Sequence, residues 1–197
     1  MLALNFFPIV LGSALFLGIS CEYVADLSVL VFTATPVGEI VSFDGLADRR
    51  NTLTPSLVDS FARAGYVAVA PGLFDKKPRT EETMASFDAT EFFGAHGPAV
   101  TDPRVEKAIA YMRDKMDIGK IASTGYCFGG RYAFRALGLP QDKGVQVGFA
   151  AHPTLLGDDE IKAIKGPASL ALAGDDQGLL AKRRTEMEAA MGTTGQT

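Results

Sequence analysis

Residues 120–137 read KIASTGYCFGGRYAFRAL, and few chain paths satisfy that order of side chains. Ile121 and Ala122 begin a short apolar run that meets Gly125-Tyr126-Cys127-Phe128-Gly129-Gly130. A helical pattern follows at once, with Tyr132, Phe134 and Leu137 as its bulky members. Strand, tight glycine-flanked turn and helix, with a nucleophile-capable side chain at the apex, is the layout of a nucleophile elbow. The bend is so sharp that nothing larger than glycine fits close beside the apex. The helix after it aims its first N–H groups at Cys127, where they favour a thiolate and, later, an oxyanion. The competing reading makes Cys127 a small buried hydrophobe, as free cysteines often are.

Composition narrows the class. The 197 residues are 47% hydrophobic and 21% charged, which suits a globular α/β domain with a sizeable core. A net charge of −4 leaves no basic footprint for nucleic acid. Two cysteines, Cys21 and Cys127, make no disulfide framework, and no Cys/His spacing suggests a metal site. The chain has two histidines, His96 and His152. That scarcity matters because a cysteine nucleophile ordinarily works with an imidazole.

Residues 1–21 carry no charged side chain, and three readings of them compete: a signal peptide, a membrane anchor, or buried structure. The chain therefore divides into an apolar segment, 1–32, and an α/β domain, 33–197. Nothing outside the apolar segment points to a membrane. A cytoplasmic location is expected, with secretion or anchoring if 1–21 act as a signal. The run LSVLVF (27–32) reads as a strand, and 38–43 as a second. Thr54 and Pro55 open a helix that buries Leu57, Val58, Phe61 and Ala62, and Gly65 stops it. YVAVA (66–70) is a buried strand ended by Pro71 and Gly72. Residues 73–98 are less regular, a lid-like stretch with Phe87, Phe92 and Phe93, and His96, in the turn 94–98, reads as a surface or loop residue. Thr101-Asp102-Pro103 opens a helix through Met116, with Val105, Ala108, Ile109 and Met112 on one face. A strand at 145–151 runs into His152 and Pro153, a short helix covers 158–164, and a strand at 169–173 meets Gly174-Asp175-Asp176. A last amphipathic helix spans 179–191. Strands alternating with helices over short connections predict a mostly parallel sheet between helical layers. Ligands of such sheets sit at the carboxyl ends of the strands, and Cys127, His152 and Asp176 all follow strands.

These residues resemble the dienelactone hydrolase family of the α/β-hydrolase fold, its fungal members above all. The likeness runs from about Leu53 to Met191. Its strongest parts are RAGYVAVAPGLF (63–74), the stretch 92–116, GYCFGGRYAFR (125–135) and the stretch 147–184. The resemblance implies an α/β-hydrolase-like three-layer sandwich and a Cys-His-Asp triad hydrolysing cyclic enol lactones or small esters, with no metal or cofactor. Cys127 matches the nucleophile and Asp176 the acid that orients the imidazole. Phe128 offers its N–H as half of the oxyanion hole, and Gly125, Gly129 and Gly130 complete the elbow. Family members carry the catalytic histidine in a His-Gly-Phe-type motif after one more strand. No residue here matches it, so the resemblance implies a chain truncated before that histidine and a sheet incomplete at both ends. On the N-terminal side, Ser42-Phe43-Asp44-Gly45-Leu46 is a poor match to the family's acidic-aromatic-glycine segment. His152 reads as a substrate-pocket residue or a substitute base, and Arg131 as a surface arginine or a partner for an acidic substrate. The alternative function is a non-catalytic fragment or binding protein that keeps the sheet without the chemistry. A redox thiol is a weaker third reading, since Cys21 is far away in sequence. The oligomeric state has no signal in the sequence.

Overall fold

The computed structural model describes residues 13–18, 29–32 and 39–41 as backbone, and 58, 60–61, 64–74, 88–176 and 179–196 with side chains. The expected helix start at Thr54 and Pro55, the polar residues 75–87 with Phe87, the stretch 42–46 and Cys21 lie outside the described residues. Among the described residues seven strands form one sheet. They are β1 (Ser13–Gly18), β2 (Val29–Phe32), β3 (Glu39–Val41), β4 (Val67–Ala70), β5 (Lys120–Tyr126), β6 (Val147–Ala151) and β7 (Ala168–Ala171). Their order is β3-β2-β4-β1-β5-β6-β7. β2 is antiparallel to both its neighbours, and every other pair is parallel. β1, from the apolar N-terminal run, pairs with β4 on one side and β5 on the other, up to Gly18 opposite Gly125.

Parallel neighbours require crossover connections, and helices supply them. These are α1 (Ala89–Ala95), α2 (Pro98–Asp114), α3 (Phe128–Gly138), α4 (Asp158–Lys162) and α5 (Ala181–Gly192). Val58, Ser60 and Phe61 are helical as well. α3 packs on β5, β6 and β1, and α2, α3, α4 and α5 touch in that order. The fold is thus the α/β arrangement of parallel sheet and helices that the alternating pattern predicts. The α2 face built from Val105, Ala108, Ile109 and Met112 is buried as its spacing requires. So are Tyr132, Phe134 and Leu137 of α3.

Two local expectations need correction. α2 begins at Pro98, not at Thr101, because Pro98 is pre-set for the first helical turn and Gly97 accommodates the bend before it. Thr101 is then not a cap. It is buried, and its hydroxyl donates to the His96 carbonyl at 2.8 Å. The stretch before α2 is also more regular than its sequence suggests. Asp88 caps α1, accepting from the N–H groups of Thr90 at 2.7 Å and Glu91 at 3.0 Å.

A charged clamp ties α2, α3 and α4 together. Arg135 of α3 pairs with Asp102 of α2 and, at 2.5 Å, with Glu160 of α4. Arg131, one turn earlier, donates through Nε to both Glu160 oxygens at 2.9 and 3.0 Å. Arg131 is therefore committed to Glu160, which corrects its reading as a surface arginine. Burial pushes the Glu160 carboxyl up, but hydrogen bonds from Arg131, the Gly157 N–H and Arg135 outweigh it and hold the group below the ordinary value of 4.5. A depressed carboxylate stabilises the fold above its unfolded-state value, and that contribution is lost as pH falls through the folded value. Melting temperature is accordingly expected to drop in acid below about pH 4.5, and less steeply in Glu160→Gln. At pH 7 the same substitution should cost about 2 kcal/mol, because it removes the carboxylate paired with the half-buried Arg131 and leaves Arg135 with Asp102 alone. In a domain of this size that is roughly 4–8 °C by thermal melting.

Candidate active site

The elbow is where the sequence packs its tightest constraint. β5 ends at Tyr126, and Cys127 takes φ 48° and ψ −116° as the N-cap of α3. That left-handed conformation is strained for any residue but glycine, and its cost is of order 1–3 kcal/mol. Close packing explains the flanking glycines. A Cβ added at Gly125 would lie 2.2 Å from the Gly129 carbonyl oxygen, and one at Gly130 2.9 Å from Pro153 Cβ. Three backbone hydrogen bonds hold the apex. The Cys127 N–H donates to Ala151 at 3.0 Å, and the Cys127 carbonyl accepts from Gly130 at 3.1 Å and Thr154 at 3.0 Å. The thiol is half-buried, its Sγ 2.9 Å from the Thr154 hydroxyl. Helix geometry leaves the first N–H groups of α3 with no carbonyl of a preceding turn; that of Gly130 goes to Cys127, and that of Phe128 stands directly after the sulfur-bearing residue.

Sheet register aligns the other candidates. Tyr126 pairs with Ala151, and Ala151 with Ala171, so β5, β6 and β7 end level. Cys127 and His152 consequently leave neighbouring strands at the same height. His152 has φ 37°, its N–H donates to Ala171 at 2.8 Å, and its ring lies 6.5 Å from that of Tyr126. Asp176 is half-buried in the loop after β7, one strand beyond His152 on the same edge. That loop is pinned from α5: the Arg184 guanidinium donates to the Gly174 carbonyl at 2.7 Å, and the Leu179 N–H to that of Asp176 at 3.1 Å.

His96 is a correction. It does lie in the turn between α1 and α2, where it is the C-cap of α1, but it is 8% exposed rather than on the surface, and Nδ1 donates to the Phe92 carbonyl at 2.8 Å. Its ring packs 4.5 Å from Phe92 and 5.1 Å from Phe74. Tyr132 donates its hydroxyl to the His96 carbonyl at 2.9 Å, and burial pushes that phenol up, so it stays a donor. Phe74, Phe92, Phe93 and Tyr132 surround the Phe128 ring at 4.8–6.3 Å and fix the residue whose N–H follows the sulfur. Thr154 and this aromatic support are what sequence reasoning missed. The Phe92-Phe93 pair was a signal for the second, but nothing in the spacing marked Thr154. A hollow of about 300 Å³ lies elsewhere, toward the end of α3, among Asp102, Arg135, Gly138, Leu139, Glu160 and Ala163. Its charged lining, Asp102, Arg135 and Glu160, is the clamp itself. Among the described residues no helix is long and apolar enough to cross a membrane.

A mostly parallel sheet with a strained cysteine between strand and helix is the arrangement of the α/β-hydrolase fold. The sequence model of the dienelactone hydrolase family matches residues 45–197, and the chain belongs to that family. Hydrolase pyvD of Aspergillus violaceofuscus is 37% identical over 132 residues, 67% of this chain and 53% of that protein. Hydrolase tropI of Talaromyces stipitatus is 33% identical over 170 residues, 82% of this chain and 65% of that protein. The chain thus spans between half and two thirds of the length of these curated relatives. Among solved structures, one from Klebsiella pneumoniae described as a dienelactone hydrolase superposes with a TM-score of 0.64 at 17% identity. It covers 98% of this chain and 73% of its own. The Pyrococcus furiosus esterase Pf2001 gives 0.57 at 11% identity, over 93% of this chain and 70% of its own. At such identities the likeness is one of fold.

Proposed function

We propose that this protein hydrolyses small esters or lactones through a thioester on Cys127. The observation that carries the reading is the apex conformation: a half-exposed thiol held at φ 48° at the start of α3. In that reaction the Cys127 thiolate attacks the carbonyl carbon, and the carbonyl electrons move to oxygen. The Phe128 N–H and the positive end of α3 stabilise the oxyanion. Its collapse expels the ester oxygen, which takes a proton and, for a lactone, stays tethered to the acyl chain. Water then gives up a proton, adds to the thioester and releases the acid and the thiol. Asp176 is the acid of the arrangement. His152 is the imidazole that β6 brings level with Cys127, as a pocket residue or a substitute base. The membership of the dienelactone hydrolase family supports this chemistry.

The test is release of p-nitrophenol from a short-chain ester before and after alkylation with iodoacetamide. Slow turnover by these 197 residues is expected, abolished once a peptide mass spectrum shows Cys127 carboxamidomethylated. Hydrolysis that survives complete alkylation ends the reading. A non-catalytic binding protein would instead carry a thiol that alkylates like free cysteine, with a midpoint near pH ~8.5.

A further inference from the structure

We propose that Thr154 positions and primes the Cys127 sulfur, a role deepening the hydrolase reading and resting on it. Thr154 touches Cys127 twice, its N–H on the Cys127 carbonyl at 3.0 Å and its hydroxyl on Sγ at 2.9 Å. The backbone bond fixes where the hydroxyl starts from, and a β-branched side chain has little freedom at χ1. The hydroxyl is therefore delivered to the sulfur by a rigid arm.

The turn carrying that arm is built to hold one shape. It leaves β6 through His152, whose N–H bonds Ala171, while the Cys127 N–H bonds Ala151 just before it. Pro153 is buried against Gly130 of α3, so closely that a Cβ on Gly130 would meet it at 2.9 Å. Non-glycine residues in left-handed conformation stand on both sides of Pro153 and Thr154: His152 at φ 37° and Leu155 at φ 59°. Cys127 itself stands at φ 48°, so the residue bearing the sulfur and the two that flank the Pro153-Thr154 pair all hold this conformation.

The chemistry gives the contact a direction. In the thiol form the S–H can donate to Oγ1. A thiolate has only lone pairs, so the hydroxyl turns and donates to it. A hydrogen bond available to the charged form and strengthened by it lowers the pKa. The same bond keeps the sulfur in one rotamer before attack. Among the described residues, the other titratable or charged groups on the elements around the sulfur are Arg131, Tyr132 and Arg135 on α3, the two arginines tied to Glu160, and Lys120 and Tyr126 at the two ends of β5. His152 stands in the same turn, and Asp175 and Asp176 follow β7. A test must leave all of these unchanged and alter the hydroxyl alone.

Thr154→Val does that at nearly constant shape, and Thr154→Ser restores the hydroxyl without the methyl. The readout is the pH profile of Cys127 alkylation by iodoacetamide, followed on its own peptide by mass spectrometry. Thr154→Val is expected to raise the midpoint by about one pH unit and slow alkylation several-fold at pH 7. Thr154→Ser should follow the wild-type profile. A valine profile that superimposes on wild type overturns the proposal, and so does a serine variant shifted as far as valine. Should valine fail to melt cooperatively, Thr154→Ala takes its place with the same two outcomes. Ester turnover measured on the same samples keeps the two readings apart. A shifted midpoint with no turnover in any variant retains the thiol–hydroxyl link and ends the hydrolase reading. Turnover with an unshifted midpoint retains the hydrolase and removes Thr154 from it.

Discussion

Cys127→Ala is expected to reduce ester turnover by a factor on the order of 10³ or more, since nothing else at the apex can form the acyl-enzyme. The residual rate is what the Phe128 N–H and the α3 terminus supply without a nucleophile. The substitution is clean because the apex is held by backbone groups. Alanine keeps the N–H donated to Ala151 and the carbonyl that accepts from Gly130 and Thr154. Melting temperature should consequently change little, within about 1 kcal/mol of stability. Cys127→Ser serves as the companion variant. A hydroxyl is ionised far less than a thiol at neutral pH, so serine should also fall steeply unless a strong base acts on it. Steady-state release of p-nitrophenol by the three proteins, with thermal melts alongside, makes the comparison. Turnover by the alanine variant at the wild-type rate would remove the thiolate from the mechanism.

Gly125→Ala is expected to damage stability and site together. The added Cβ would stand 2.2 Å from the Gly129 oxygen, 2.4 Å from the Gly129 carbon and 2.6 Å from the Gly130 nitrogen. All three are backbone atoms of the first turn of α3, and none can rotate aside. The helix start must move away from β5, taking the Phe128 N–H with it. A cost of about 3 kcal/mol or more follows, the upper end of overpacking. Gly119→Ala is the control. It precedes the same strand, and a Cβ there meets nothing within 4 Å. Its expected effect is within about 0.5 kcal/mol. Equal melting temperatures for the two variants would show that the elbow yields more easily than its geometry implies.

Much of the candidate site was legible before any coordinates. Gly-x-Cys-x-Gly-Gly between an apolar run and a helical pattern predicted the strained apex, because turn chemistry is local and glycine marks it. Strand ends predicted that Cys127, His152 and Asp176 share an edge, and the level ends of β5, β6 and β7 are as that reading requires. His96 lies in the turn as its sequence suggests, yet it is buried. Its neighbours Gly94, Gly97 and Pro98 signal a turn, whereas burial comes from Phe74, Phe92 and Tyr132 arriving from other elements. The start of α2 differs from the sequence reading because Pro103, two residues after Thr101, resembles a helix opening when Pro98 already provides one.

Periodicity, turn residues and the elbow spacing were thus enough for the α/β class, for each element from β4 to α5 apart from α1, and for the presented thiol. Each of these depends on residues within a turn or two of one another. The hydroxyl on the sulfur joins residues 27 apart, and the Arg135–Asp102 pair residues 33 apart. Such contacts exist only after strands pair in register and helices pack side by side, a long-range event that leaves no period in the sequence. The tertiary structure therefore decided which threonine meets the thiol and which arginines are already spent on carboxylates.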